Sequence, residues 1–242
     1  MVHQSPVQEP PLALLFDVFG TCVDWRSGIV RDGEALGLRL GLRGVDWAAF
    51  ADAWRARYQP QLDTVRSGTR AWTTLDVLHR EALEDVLDQF RIDIDSADRD
   101  ALTLAWHRLD PWPDTCEGLT RLKRRFVIAP NSNAHIALLV DIARWARLPW
   151  DVVLGAEIAH AYKPDPEVYL RSVEALRLDP SQVIMVAAHN GDLLAAARCG
   201  LRTAFVPRPT EHGPGQTTDL RPEHEVDLAV ANFVELAGAL GA

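Results

Sequence analysis

Short apolar runs recur along the chain at Leu12 to Phe16, Arg125 to Ala129, Val152 to Leu154, Val183 to Val186 and Thr203 to Val206, with helical periodicity between them. Apolar runs of this length alternating with helical patterns specify strands buried on both faces, as in a parallel sheet with helices packed on each side. The predicted class is therefore α/β, a doubly wound parallel sheet. Between the first and second runs lies a long stretch, about Asp24 to Asp110, helical in period and carrying Trp25, Trp47, Trp54, Trp72 and Trp106. Crossovers rarely need so many residues, so residues 24–110 are expected to form an inserted helical cap over the strand ends of a core built from 12–23 and 111–242. Asp24-Trp25-Arg26-Ser27 marks entry to the cap, and Asp110-Pro111-Trp112-Pro113-Asp114 the return, because prolines stop helices. Ser27 and Asp46 read as helix N-caps, and Asp179-Pro180-Ser181 as a turn before the fourth strand. Residues 1–11, polar and proline-rich, read as a disordered lead-in.

Composition narrows the class of function. A net charge of −9 over 242 residues argues against a surface for nucleic acid or anionic membrane and favours a small-molecule protein. No secretory or membrane-spanning pattern is visible. Cys22, Cys116 and Cys199 are odd in number and lack a CxxC pair, which speaks against disulfides and zinc and for a reduced, cytoplasmic setting.

Residues with chemical potential gather where the apolar runs end. Leu14-Leu15-Phe16-Asp17-Val18-Phe19-Gly20-Thr21 places a carboxylate at the C-terminal end of the first strand, where ligands of open α/β sheets bind. Asp17 is the nucleophile candidate, the bland alternative being a turn cap before Gly20. Val127-Ile128-Ala129-Pro130-Asn131-Ser132-Asn133 runs from a strand into small polar residues, which also suits a Ser or Asx turn opening a helix. In Tyr162-Lys163-Pro164-Asp165-Pro166-Glu167-Val168-Tyr169 a rigid turn fixes Lys163, whose charge would keep Asp17 ionised, and Tyr169 offers an orienting hydroxyl; elsewhere Lys-Pro-Asp-Pro is an exposed turn. The fourth segment is Met185-Val186-Ala187-Ala188-His189-Asn190-Gly191-Asp192.

Together these segments resemble the haloacid dehalogenase superfamily, and within it the 2-haloacid dehalogenases of the L-2-haloacid type, from about Leu12 to the C-terminus. The resemblance implies a Rossmann-like core with a helical cap. Phosphatases of that superfamily carry acids where this chain has Phe19 and Ala188, so the resemblance implies a metal-free, cofactor-free hydrolysis of a carbon–halogen bond. Asp17 would attack C2 of a short (S)-2-haloacid or haloacetate, fluoroacetate included, and expel halide to leave an aspartyl ester. Water would then cleave the ester to a 2-hydroxy acid of inverted configuration.

By the same resemblance Trp54-Arg55 supplies the arginine that grips the substrate, a fork suited to a carboxylate and to a departing halide. Asn133 would solvate the halide and Ser132 would bond Asp17 or the substrate carboxylate, with Thr21, Phe19, Tyr169 and Trp72 lining the substrate and halide site. Asp192 would fix Lys163 and position or deprotonate the water. Relatives carry a serine and an asparagine where this chain has Ala187 and His189, which leaves two roles for His189: a second general base, or a hydrogen-bonded residue behind the site. A homodimer is implied too. The rival readings are a phosphatase or phosphonatase, which magnesium-dependent phosphate release would revive, and a catalytically idle binding protein, which any haloacid turnover would eliminate.

Overall fold

The computed structural model describes residues 10–242. The expected lead-in lies almost wholly outside them, with Pro10 and Pro11 entering the first strand.

Strand β1 (Ala13–Phe16) leads into a two-stranded antiparallel ribbon, β2 (Val23–Asp24) with β3 (Asp110–Pro111), in which Val23 pairs with Pro111 and Asp24 with Asp110. Between the ribbon strands run α1 (Trp25–Leu40), α2 (Trp47–Ala56), α3 (Tyr58–Arg66), α4 (Leu75–Phe90), α5 (Ser96–Thr103) and a 3-10 turn at Leu104–His107. The chain continues through α6 (Thr115–Leu122), β4 (Val127–Ser132), α7 (Ile136–Ala146), β5 (Leu154–Gly155), α8 (Ala156–Ala159) and α9 (Pro166–Ala175). It ends with β6 (Val183–Ala187), α10 (Asn190–Arg198), β7 (Arg202–Phe205), β8 (Leu228–Ala229) and α11 (Phe233–Ala239).

The six-stranded sheet has the order β5-β4-β1-β6-β7-β8 with every pairing parallel. Strand β1 sits at the switch between the two halves, flanked by β4 and β6, and its C-terminal end opens the crevice where such sheets bind ligands. Alternation along β1 builds both faces. Leu14 and Phe16 join α6, α7 and α11 through Leu119, Leu138 and Phe233, while Ala13 and Leu15 join α9 and α10 through Tyr169, Val173 and Leu193. Burial on both faces is why β1 and β6 are apolar throughout, and why these two are the strands best delimited by their sequence.

Elsewhere the elements depart from their predicted bounds. Strand β4 begins two residues after Arg125 and runs three past Ala129, because Pro130, Asn131 and Ser132 are buried and strand-paired although two of them are polar. Asn131 donates to the Val168 carbonyl and to Ser172, both at 2.9 Å, which satisfies its amide inside the core. Strand β5 shortens to Leu154–Gly155, and β8 and the ribbon, each strand two residues long, were not predicted. Ser27 is not an N-cap: Asp24 takes that position and accepts the Ser27 N–H at 2.9 Å. Asp46 caps α2, accepting the Ala49 N–H at 2.9 Å, and Asp179 opens a 3-10 turn at Pro180–Gln182 before β6.

The helical insertion meets the core through paired charges as well as apolar packing. His107 is held between Asp76 of α4 at 3.0 Å and Asp141 of α7 at 2.9 Å, and His135 adds a second contact to Asp76 at 3.3 Å. Among the described residues no helix is long and apolar enough to cross a membrane.

Helix α11 closes on α6 at Gly118, where a Cβ would stand 2.3 Å from Phe233 Cβ and 2.6 Å from its backbone carbonyl carbon. Gly118→Ala is therefore expected to overpack this contact and lower stability by about 1–3 kcal/mol, read as a drop in the urea midpoint at unchanged slope.

Candidate active site

The strand ends and α2 converge on a cavity of about 400 Å³ lined by Asp17, Phe19, Arg55, Tyr58, Asn133, Lys163, Tyr169, His189 and Asp192. Asp17 follows β1, its N–H continuing the ladder to the Val186 carbonyl at 3.0 Å, and its side chain is 11% exposed. Thr21 Oγ1 donates to Asp17 Oδ2 at 2.7 Å while accepting the Ala188 N–H at 2.9 Å, so the orientation of the hydroxyl is set from both sides. His189 Nδ1 lies 3.1 Å from Oδ2, and Lys163 Nζ donates to Oδ1 at 3.3 Å. Burial alone would raise the Asp17 carboxyl; Lys163, His189 and Thr21 outweigh it and hold the group well below the usual carboxylate range.

Lys163 is placed from three directions. Its backbone N–H donates to Asn133 Oδ1 at 2.7 Å, and Nζ donates to Asp192 Oδ2 at 2.6 Å and to Asp17 Oδ1 at 3.3 Å. The bond from Lys163 fixes the Asn133 amide with its NH₂ end free of that contact. Burial opposes the lysine charge, but Asp192 and Asp17 raise its pKa above the ordinary value. Asp192 accepts a 2.5 Å bond from the Tyr169 hydroxyl at Oδ1. Burial raises the Asp192 carboxyl, the Asp17 charge adds to the rise, and Lys163 and Tyr169 pull against it.

From the insertion, buried Trp47, Phe50, Ala51 and Trp54 recur at helical spacing on α2 and turn the neighbouring Arg55 toward the cavity. Its guanidinium lies 4.1 Å from the Tyr58 ring centroid and 5.5 Å from that of Trp25, and its buried Nη1 has no hydrogen-bond partner. Phe19 packs edge-on against Trp106 and gives the cavity an apolar wall.

Three predicted residues sit elsewhere than expected. Ser132 does not reach Asp17: the strand continues through it to pair with Gly155, and its hydroxyl accepts the Ala134 N–H at 3.3 Å, the turn role weighed from sequence. Thr21 is fully buried and bonded to Asp17, so it orients the carboxylate and does not line the cavity. Trp72 is not among the lining residues; its ring stacks on His160 at 5.5 Å and packs at a tilt on Tyr162 at 4.8 Å. Tyr58 and Glu211 were not singled out from sequence. Tyr58 opens α3 just after the break that ends α2, and its ring meets the Arg55 guanidinium across that break. Glu211, whose carboxylate lies 2.9 Å from His189 Nε2, belongs to the loop Pro207 to Gly215, which by sequence resembles a loop of the family without implying a catalytic role.

The residues present do not fit the magnesium ion of the superfamily's phosphatases. Phe19 and Ala188 offer no ligand, and the Asp17 oxygens are occupied by Thr21 and by two cationic side chains. A hard divalent cation finds no set of oxygen donors here. Among the described residues no group of three or more His, Cys, Asp and Glu is arranged to hold a metal.

Comparison with known proteins gives a consistent result. Residues 12–200 match the family model described as haloacid dehalogenase-like hydrolase. The crystal structure of a defluorinating L-2-haloacid dehalogenase superposes with a TM-score of 0.95 and is 49% identical, over 99% of each chain. The structure of another L-2-haloacid dehalogenase gives 0.91 and 45%, over 96% of this chain and 99% of that one. The (S)-2-haloacid dehalogenase 4A of Burkholderia cepacia is 27% identical over 199 residues, 81% of this chain and 83% of that protein.

Lys163→Met would leave the Asp17 and Asp192 charges buried without their shared cation. We expect it to cost about 3–5 kcal/mol at pH 7. Asp17 keeps His189, but the Asp192 carboxyl, already raised, loses its cation, so across this range Asp192 makes the native state bind more protons than the unfolded chain. The deficit should therefore shrink as pH falls toward about 4, and stability should fall as pH rises. Urea unfolding across that range checks this, and a deficit independent of pH would exclude charge pairing as its cause.

Proposed function

The chain belongs to the haloacid dehalogenase-like hydrolases, and from that membership we propose that it is a hydrolytic dehalogenase acting on short (S)-2-haloacids and haloacetates, fluoroacetate included. The observation carrying this reading is an ionised, buried Asp17 that shares its cavity with an arginine whose Nη1 is unpartnered. An anionic nucleophile beside a guanidinium with one buried nitrogen unpartnered suits a substrate that is itself an anion and releases another. Helices α1–α5, residues 24–110, act as a cap that brings Arg55 and Tyr58 over the strand ends.

Arg55 binds the substrate carboxylate and faces the departing halide, and the Asn133 NH₂ donates to that halide. Asp17 attacks C2 from the face opposite the halogen: the new C–O bond forms as the carbon–halogen bond breaks, and the halide leaves with the bonding pair. Lys163 keeps Asp17 ionised, and Tyr169 with Lys163 orients Asp192. Water then attacks the Asp17 carbonyl carbon and yields its proton to Asp192. One displacement at C2 inverts it, so an (S)-2-chloro acid gives an (R)-2-hydroxy acid. Phe19 packs where a phosphatase carries its second acid, which disfavours the phosphatase reading. The homodimer implied by the resemblance is part of the proposal; α7 exposes Ile136, Val140 and Trp145, and sedimentation reads the assembly state.

Incubation of EDTA-treated protein with fluoroacetate, chloroacetate and both enantiomers of 2-chloropropionate tests the reading. We expect halide release without added metal, (R)-lactate from the (S) substrate, and none of either from Asp17→Asn. Arg55→Leu is expected to lower kcat/KM by about 10²–10³-fold. Release of phosphate from esters only when magnesium is supplied, with no halide from any haloacid, would replace this function with a phosphatase.

A further inference from the structure

Glu211 lies in the loop from Pro207 to Gly215, outside every strand and helix, yet it is 1% exposed. Its Oε1 and Oε2 stand 3.1 and 2.9 Å from His189 Nε2, and Trp25 Nε1 donates to Oε1 at 3.0 Å. The carboxylate rests against Gly20, where a Cβ would fall 2.0 Å from Oε1 and where the backbone holds φ +81°. Any side chain at Gly20 would expel Glu211. Arg208 anchors the loop, donating to the Thr21 carbonyl at 2.9 Å and pairing with both oxygens of Asp114 at 2.6 and 3.0 Å.

Both nitrogens of the His189 ring therefore face carboxylate oxygens, Nε2 those of Glu211 and Nδ1 that of Asp17 at 3.1 Å. A ring that serves two acceptors carries two protons, and an imidazolium has no lone pair with which to take a proton from water. Burial opposes that charge, but Glu211 and Asp17 push the His189 pKa well above its ordinary value. The resting His189 is a donor, not a base.

Resting on the dehalogenase reading, we propose that His189 is the charged oxyanion donor for hydrolysis of the Asp17 ester, acting with Thr21, and that Glu211 is the positioning residue that aims it. The two Asp17 oxygens differ. Oδ1 has Lys163 alone at 3.3 Å, and Oδ2 has Thr21 at 2.7 Å and His189 at 3.1 Å. The less engaged Oδ1 forms the bond to C2, so Oδ2 becomes the ester carbonyl oxygen with both donors already in place. When water attacks the carbonyl carbon its proton passes to Asp192, and the electron pair of the carbonyl moves onto Oδ2, facing a hydroxyl and an imidazolium. Collapse restores the carbonyl and breaks the bond to Oδ1. The departing alkoxide takes the proton from Asp192 and leaves as the 2-hydroxy acid, and the regenerated Asp17 carboxyl releases its proton to solvent.

The charges bearing on His189 are Asp17 after β1, Glu211 and His212 of the loop, Arg55 of α2 beside Glu211, and Lys163 with Asp192 beyond Asp17. Ester formation removes the Asp17 charge, so Glu211→Gln takes away the remaining anion bonded to the ring in the intermediate. His189 then deprotonates at lower pH, and the alkaline limb of hydrolysis moves down.

Rapid-quench reaction of Glu211→Gln with (S)-2-chloropropionate, read by chloride and by intact mass, separates the two half-reactions. We expect a chloride burst of about one per chain, accumulation of the ester adduct, hydrolysis slowed about 10²–10³-fold, and an earlier alkaline limb. His189→Asn should also accumulate the ester, with little added by Glu211→Gln in that background. Equal slowing of burst and hydrolysis, or an unmoved alkaline limb, overturns the proposal. If Glu211→Gln gives no burst, the ¹⁵N shifts of the wild-type His189 ring decide: two protonated nitrogens at pH 8 uphold it and a neutral ring overturns it. Failure of the wild type to release halide would refute the dehalogenase reading instead.

Discussion

The site depends on keeping a carboxylate ionised where burial favours its neutral form. Asp17 is buried at the switch point of the sheet, and an isolated charge there would take up a proton. Lys163 and His189 prevent that, but each is itself a buried or half-buried cation needing an anion, and these are supplied by Asp192 and Glu211. A buried ion pair offsets its desolvation only when the remaining hydrogen bonds are met. Thr21, Tyr169 and Trp25 meet them. The fold's part is to deliver these groups from β1, β6, the loop before α9 and the loop after β7 to one place.

Charge balance also links the two half-reactions. Three carboxylates, Asp17, Asp192 and Glu211, face three cations, Lys163, His189 and Arg55, around the cavity. On the proposed chemistry, ester formation removes the Asp17 charge, while the bound substrate keeps its own carboxylate. After halide departs, the acyl intermediate has the same balance as the empty site. Arg55 can hold the substrate through both steps without either step stranding a buried charge, so each barrier is free of that penalty.

Much of this was legible in the sequence where burial and chemistry coincide. Strands β1 and β6 are apolar because both of their faces are covered, and Asp17, Lys163, Asn133, His189 and Asp192 follow strands or a proline turn at readable positions. Legibility failed where a residue's environment is set from far away. Ser132 looks like a loop serine, but a polar Asn131 satisfied by Val168 and Ser172 lets the strand run on beneath it. Trp72 is aromatic and in the insertion, which says nothing about whether its ring faces the cavity or Tyr162. Ser27 lost the cap to Asp24 because the ribbon places Asp24 at the last extended position before α1. Glu211 is 22 residues beyond His189 and 186 beyond Trp25, a separation across which local pattern carries no information.

Phe19, Gly20 and His189 are physically one arrangement. An acid at position 19 would add a fourth negative charge beside Asp17 with no cation assigned to it, whereas phenylalanine packs on Trp106 and leaves the balance intact. Gly20 then supplies the space that the Glu211 carboxylate occupies, and Glu211 permits a cationic histidine to stand beside the nucleophile. A magnesium ion would supply positive charge at the same carboxylate, and the chain instead supplies it through a lysine and an imidazolium, each with its own counter-ion. The difference matters for the leaving group. A metal neutralises oxygens of a phosphoryl group, while a halide departing from carbon needs donors on the far side of C2, the role proposed for Arg55 and Asn133 of the cavity lining. Moving the positive charge from an ion bridging nucleophile and substrate to side chains divided between them is what suits this framework to displacement at carbon.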